Sequence, residues 1–474
     1  MTDEAVKLII TVEIEGRKPL SKQIEINMNA KIDEGLRQEM QRMEQELFGT
    51  ILEVADERLW KTVARDWKNV GRAERQLVTS VGWVPFKRRV FIDETGNRRK
   101  PLDEMLALEP KAHYSQSVCQ KASYLVSELP YRVASPMLCW LIGTEISHST
   151  MGRLMRRVGQ SLEAQEEEAR NRVFEQGEEP KAGKIPARVL YGESDGVYIS
   201  LQREQQKKTE VRVGILYTGK KAIAEGRKRL KNKVVVTKIV ENSQEWQETM
   251  LKAAYENYDL DNTTQLITGG DGGRWVRQSF DYLDLPQEFV LDRFHLYRDA
   301  RRAFGFSAKT DAWIYTIRTE GLERVLPDML LALKKAPPAQ AKRMRQFIQY
   351  LVNNQEGLLD PDCRAHLKAG FERLGAIEGN VDKLVVRRLK GRGRSWSKAG
   401  AKAMLATCRH QSELREEAFK PFRPHPVEEQ SKPKTRKPDH GKWLQAGVPA
   451  LHHAHKNHPW AKVLRDRIHP SGIL

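Results

Sequence analysis

Two aspartates stand where chemistry is the simplest explanation for them. In ESDGVYISLQ (residues 193–202), an extended chain would alternate its side chains between two faces. Glu193 and Asp195 then point the same way as Val197, Ile199 and Leu201. A carboxylate on the apolar side of a strand is costly unless something pairs with it. Asp271 follows the apolar run QLITGG and is flanked by Gly269, Gly270, Gly272 and Gly273. Glycines there let the backbone turn sharply and a bulky ligand come close. Ligands of open α/β sheets gather at the carboxyl ends of strands, so Asp195 and Asp271 on neighbouring strands would converge. Two adjacent buried carboxylates repel unless a cation lies between them, and hard oxygen ligands suit Mg²⁺ or Mn²⁺. Each aspartate alone also has an ordinary reading. Ser-Asp-Gly is a common turn sequence, and a Gly-rich loop can cradle a phosphate, although this one has neither the GxxxxGK[ST] nor the GxGxxG spacing.

The elements that must hold these residues follow from periodicity. From about residue 187 the pattern has the period of β structure. Stretches 188–201, 210–217 and 233–240 read as strands, 243–256 as a helix, and QLITGG and EFVLD as two further strands. Strands and helices in that order make an α/β core. It would be interrupted by an all-α insertion over 296–374, where no strand signal occurs. Upstream, residues 1–30 fit a hairpin. A helix from Ile32 carries Leu36, Met40, Met43, Leu47 and Ile51 on one face, and WVPFKRRVFIDETGNRR (83–99) is a basic strand with a turn at Thr95-Gly96-Asn97. In ASPMLCWLIGTEISHSTMGRLMRRVG (134–159) two short helical patterns flank a turn at Gly143-Thr144-Glu145, with Ser147 or Ser149 as the second cap. Met151, Met155 and Val158 would face inward while Arg153, Arg156 and Arg157 lie on another face, which resembles a helix-turn-helix. The expected division is an N-terminal hairpin and helix for oligomerisation (1–60), a mostly helical DNA-binding region (61–176), a first core part (187–295), the insertion (296–374), a second core part (375–410) and a basic, partly disordered tail (411–474). The loop 177–186 marks the main boundary.

Charge narrows the partners. The chain has 474 residues, enough for about two to four domains, and 81 Lys+Arg against 63 Asp+Glu give a net charge of +18. Such an excess points to a polyanion. An anionic membrane is disfavoured, because no run of about 18 apolar residues occurs and MTDEAVKLII lacks the basic-then-apolar order of a signal peptide. The four cysteines, Cys119, Cys139, Cys363 and Cys408, are widely spaced with no CxxC pair, against a disulfide or zinc framework and for a reducing compartment. The four histidines of HHAHKNHPW (452–460) stay outside the expected site.

Four stretches in this order carry a resemblance to a known family: GESDGVYISLQ with EVRVGILYTG, TGGDGGRW, LDRFHLYR, and AIEGNVDKLVVRRLKGRGRSWSKAGAKAM. Over roughly residues 187–406 the chain resembles the DDE transposases of bacterial insertion sequences, the mutator-related group and within it the ISLre type. The resemblance implies a ribonuclease H-like catalytic core. It makes Asp195 the first acid, Asp271 the second and Glu378 the third, with Glu193 and Glu372 as nearby competitors; Glu372 reads as a solvated helix face with Leu367, Phe371 and Leu374. Asp292-Arg293-Phe294-His295 fits the Cys/Asp-x-x-His of mutator-related enzymes, making His295 catalytic, with a structural histidine as the plainer alternative. The three acids would hold two Mg²⁺ or Mn²⁺ ions about 4 Å apart across one phosphate; no organic cofactor is implied. Arg387, Arg388, Lys390, Arg392 and Arg394 would bind DNA phosphates beside the site, while Trp396 would either stack on a base or pack under its loop.

The expected activity is binding of insertion-sequence ends in double-stranded DNA, followed by strand cleavage and strand transfer. A homodimer or larger assembly on DNA, in the cytoplasm and associated with the nucleoid, goes with it. Two rivals remain: a metal-dependent nuclease without strand transfer, and a non-catalytic DNA-binding regulator.

Overall fold

Strands and helices alternate through a mixed α/β chain whose computed structural model describes residues 5–14, 17–27, 32–62, 67–367, 371–391 and 393–419. Arg392 and the histidine-rich stretch of the tail lie outside the described residues.

Strands β1 (Ala5–Val12) and β2 (Leu20–Asn27) form an antiparallel hairpin, followed by the 29-residue helix α1 (Ile32–Trp60). Met43 and Leu52 of α1 are buried, as is Asp56, whose carboxylate takes the Arg89 guanidinium at 2.7 Å. Next comes a second antiparallel pair, β3 (Lys68–Thr79) and β4 (Gly82–Ile92), with the short β5 (Arg98–Arg99) on its edge. The sequence pattern gives no sign of β3, so the region expected to be mostly helical begins instead with a sheet. The reason is visible in KNVGRAERQLVT: its first residues are exposed and charged, and only Leu77, Val78 and Thr79 at its end are buried.

After the single-turn helix α2 (Pro101–Met105), three helices pack together: α3 (Gln116–Glu128), α4 (Tyr131–Ile142) and α5 (His148–Phe174). Gly143 ends α4 in the left-handed conformation, φ 63°, a position that favours glycine. Ser147 is the cap of α5, its hydroxyl accepting the Thr150 N–H at 3.2 Å. The acidic stretch SLEAQEEEARNRVF is the continuation of α5 itself.

A central five-stranded sheet has the order β11-β8-β7-β13-β14. The short β6 (Ile185–Pro186) precedes β7 (Val189–Ser200), which pairs antiparallel with β8 (Lys208–Tyr217). A side hairpin, β9 (Gly219–Ala224) and β10 (Arg227–Lys231), leads to β11 (Val234–Lys238), antiparallel to β8. Helix α6 (Ser243–Asn257) and the two-residue β12 (Tyr258–Asp259) come before β13 (Gln265–Gly270), parallel to β7. Helix α7 (Arg274–Arg277) then precedes β14 (Gln287–Leu291), parallel to β13. Alternation sorts the sheet's side chains. Leu190, Leu216 and Leu266 bury against Trp246 and Met250 of α6, while Tyr191, Ile199, Ile215 and Ile267 bury toward α5 and the C-terminal helices. Glu193 and Asp195 therefore share the face of Tyr191 and Ile199, as the alternation predicts.

Helices α8 (Arg293–Phe304), α9 (Ala308–Glu320), α10 (Leu326–Lys334) and α11 (Pro338–Asn353) close around their own apolar cluster of Leu296, Ile314, Ile317, Met329, Phe347 and Leu351. The helical stretch thus begins at Arg293 rather than 296, and Phe371–Ala376 is not helical. Phe371 and Leu374 fit a helical spacing, but both pack as extended chain against the main core. Helix α12 (Ile377–Val381) continues through a π-helical turn, Asp382–Val386, into α13 (Arg387–Leu389). Last come α14 (Lys398–Arg409), which lies on α5, and α15 (Gln411–Ala418). At the α5–α14 crossing a Cβ on Gly159 would sit 2.1 Å from the Ala403 carbonyl oxygen. Residues 1–420 cluster as one compact unit, which the loop 177–186 does not divide.

Candidate active site

Three neighbouring parallel strands bring aspartates side by side, Asp195 from within β7 and Asp271 and Asp292 from just past the ends of β13 and β14. The register pairs Glu193 with Gly269 and Gly269 with Val290. Two residues further along each strand come Asp195, Asp271 and Asp292. Strands β13 and β14 stop at Gly270 and Leu291, so the edge above them is open to the residues that complete the site.

Those residues come from α8 and α12. One ligand atom each from Asp195, His295 and Glu378 lies within 4.8 Å of the others. His295 sits in the first turn of α8, whose cap is Asp292: the carboxylate accepts the His295 backbone N–H at 3.0 Å and lies 3.0 Å from Nδ1. With Nδ1 facing Asp292, the ring turns Nε2 toward Glu378, 3.5 Å from Oε1. Asp271 adjoins this group from the next strand without being part of it. Its carboxylate accepts the Gly273 N–H at 2.9 Å, and its carbonyl accepts the Tyr350 hydroxyl at 2.8 Å.

The electrostatics are those of a site short of positive charge. Burial pushes the Asp195 carboxyl up to about 6, with Glu378 and Asp271 adding to it and the Gly196 N–H and His295 opposing. The hydrogen bond to Asp292 raises His295 above the ordinary imidazole range, against its own burial. Burial alone would raise Asp292, yet its bonds to His295 leave it below the usual carboxylate range.

Glu193 has another task. It is 1 % exposed; the Tyr217 hydroxyl donates to Oε1 at 2.8 Å, and the backbone N–H groups of Gly375, Ala376 and Ile377 donate to Oε2 at 2.8, 2.8 and 3.1 Å. Burial raises its carboxyl, opposed by these donors. The carboxylate thereby fastens the segment that delivers Glu378, and Gly375 reaches it with φ 104°, a left-handed backbone open to glycine. Glu193 thus anchors the candidate site, where the sequence pattern presents it as a mere competitor of Asp195. The signal was its place on the apolar face. Glu372 is not on a helix: it stands in the extended segment, 3.5 Å from Lys228, with its N–H bonded to the Tyr191 hydroxyl. That leaves it outside the acid cluster.

The candidate phosphate ligands are scattered. Arg153 and Arg156 are exposed on α5, and Arg157 meets Glu109 at 3.2 Å. Arg387 is exposed and paired with Asp382 at 2.8 Å, and Lys390 is exposed. Arg388 cannot serve as expected. It is 6 % exposed, donates to the Val126 carbonyl, and lies over the rings of Tyr131 and Trp396 at 5.3 and 5.9 Å. Arg394 turns back to cap α13, its Nη1 donating to the carbonyls of Arg387, Arg388 and Lys390 at 2.5, 2.9 and 3.4 Å. Trp396 packs under its loop, buried, with Nε1 on the Leu389 carbonyl at 2.9 Å. Among the described residues, no helix is long and apolar enough to cross a membrane.

Comparison with known proteins gives two findings. The model of a family described as "Uncharacterised protein family (UPF0236)" matches residues 25–416. A relative from Streptococcus gallolyticus, "UPF0236 protein in vanSb 3'region", is 27 % identical over 391 residues, covering 78 % of this chain and 81 % of its own.

Proposed function

The chain belongs to the uncharacterised protein family UPF0236, and from its site we propose that it is a DDE-type transposase, binding insertion-sequence ends and carrying out metal-dependent DNA strand cleavage and strand transfer. One observation carries this reading: Asp195, His295 and Glu378, distant in sequence, converge with Asp271 beside them at the carboxyl edge of the sheet. Three antiparallel strands followed, after a helix, by two parallel ones support the ribonuclease H-like core that the resemblance implies.

The residues fit a divalent cation. Two carboxylates and an imidazole within 4.8 Å make a ligand set, and a carboxyl raised by burial and by its acidic neighbours gains most from a cation between them. The imidazole departs from the all-oxygen set that Mg²⁺ prefers. Asp195, His295 and Glu378 would hold one ion, and Asp271, next to Asp195, would help hold a second. Divalent ions bound there would lower the pKa of the attacking water or 3′-hydroxyl and neutralise charge on the leaving oxygen. The protein's own part is placement. Asp292 orients the His295 ring, Glu193 fixes the approach of Glu378, and the half-exposed Glu378 leaves the front of the site open to a DNA strand.

The test is cleavage and joining of labelled element-end DNA in Mg²⁺ or Mn²⁺ by the wild type and by Asp195→Asn, Asp271→Asn, Glu378→Gln and Glu372→Gln. Loss of both steps in the first three, with DNA binding kept and Glu372→Gln active, is the expected outcome. Cleavage without joining of pre-cleaved ends would make the protein a nuclease; binding without any cutting, wild type included, would make it a regulator.

A further inference from the structure

The β9–β10 hairpin has no role in the site described above, yet its stretch GKKAIAEGRKRLKNK (219–233) carries seven lysines and arginines against one acid, Glu225. Its two faces differ. On one, Leu230 packs on the main core, Lys228 pairs with Glu372 at 3.5 Å, and the Lys220 ammonium donates to the Arg373 carbonyl. This face fixes the hairpin to the extended segment whose next residues Glu193 holds and which leads to Glu378. On the other face Lys221, Arg229 and Lys231 are exposed, and Lys221 stands directly across from Arg229. Among the described residues none of these three has a carboxylate partner. Like charges directly opposite on a hairpin destabilise it, and a two-stranded hairpin has little stability to spare. A polyanion along that face would offset the repulsion. Between the hairpin and α12 runs a groove lined by Lys220, Lys228, Arg229, Lys233, Asn380 and Lys383; of the three outer cations, Arg229 borders it and so reaches the helix that carries Glu378.

We propose that the outer face of the β9–β10 hairpin is a docking surface for the sugar-phosphate backbone of duplex DNA, with Arg229 at its edge on the groove beside α12. The proposal deepens the functional reading and rests on it for the choice of DNA.

The experiment is binding of a labelled duplex of arbitrary sequence by the full chain across a series of KCl concentrations. The wild type is compared with the triple variant Lys221→Gln, Arg229→Gln, Lys231→Gln. A control triple variant removes equal charge from the exposed side of α11: Lys342→Gln, Arg343→Gln, Arg345→Gln. The hairpin variant should bind at least tenfold more weakly near 0.1 M salt, and its slope of log affinity against log salt should be shallower by about 2–3, while the control keeps the wild-type slope. Its thermal midpoint should stay level or rise as the Lys221–Arg229 repulsion disappears. Unchanged slope and affinity, an equal change in the control, or binding of anionic phospholipid vesicles but not DNA would overturn the proposal. Cleavage separates the two readings: a wild type that cuts DNA with an unaltered hairpin slope refutes the docking surface alone. A wild type that never cuts but loses its slope with the hairpin refutes the acid site alone.

Discussion

Glu193 and Asp195 are two residues apart on one face of β7, and their surroundings divide their duties. Glu193 takes four donors and holds a loop; among the described residues Asp195 receives only the Gly196 N–H, at 2.8 Å, and looks onto His295 and Glu378. Replacing Glu193 by Ala would leave the Tyr217 hydroxyl and the backbone N–H groups of Gly375, Ala376 and Ile377 without their acceptor, at a cost of about 1–3 kcal/mol. Glu193→Gln keeps the shape and should spare most of that stability while weakening, by loss of the charge, the hold on the segment that delivers Glu378. We expect Mn²⁺ affinity, read by the ion's paramagnetic resonance, to fall about tenfold in Glu193→Gln; an unchanged affinity would make Glu193 purely structural. The pH response follows from the same residues. Ligation needs Asp195 ionised and His295 neutral, and both hold their protons to higher pH than usual. Mn²⁺ binding should therefore be weak at pH 5, rise through about 6 as Asp195 ionises, and keep rising past the ordinary imidazole range. The sign for stability is opposite. The folded state retains a proton on Asp195 that the unfolded chain releases near its ordinary value of 3.8, so stability is lost as pH climbs from there to about 6. In metal-free buffer at pH 7, Asp195→Asn should raise the thermal midpoint; a lower midpoint would contradict the burial account.

Elements set what each side chain can reach. The basic run after α12 reads as a phosphate-binding strip, but it is the end of a helix, and the ends of helices need capping. Arg394 caps α13, and Arg388 is drawn inward among Val126, Tyr131 and Trp396. Arg388→Ala should cost about 2–4 kcal/mol in denaturant unfolding, from lost packing and hydrogen bonding together, and leave the salt dependence of DNA binding as in wild type. A shallower slope with unchanged stability would return Arg388 to the DNA surface. The α5–α14 crossing makes a second demand. Gly159 meets the Ala403 backbone so closely that Gly159→Ala must push the helices apart, and a loss of about 1–3 kcal/mol is expected. Full stability in that variant would mean that α5 and α14 lie further apart than described.

At the scale of the molecule, the acids are brought together by a sheet, a helical cluster with its own core, and a segment that returns from that cluster to the sheet. The return is fastened at Glu193, at Tyr191 through the Glu372 N–H at 3.0 Å, and at the hairpin through Lys228. Each of these fasteners is a contact between residues more than a hundred positions apart, and none leaves a local trace. What the sequence determined by itself is what local periodicity and chemistry encode: the strands β7, β8, β11, β13 and β14, helix α6, Asp195 within a strand and Asp271 after one, and the uneven placing of Glu193 and Asp195 on an apolar face. Alternation, turn glycines and caps act over a few residues, so they are legible in a few residues. What only the tertiary structure decided is partnership. It gave Glu193 to the loop rather than to the acid cluster, joined His295 to Asp195 and Glu378 while leaving Asp271 alongside, moved Arg388 and Arg394 from the surface to the fold, and made a strand of the charged β3. Those outcomes depend on which distant backbone donor, carbonyl or ring completes each polar group, and only the folded chain supplies that neighbour.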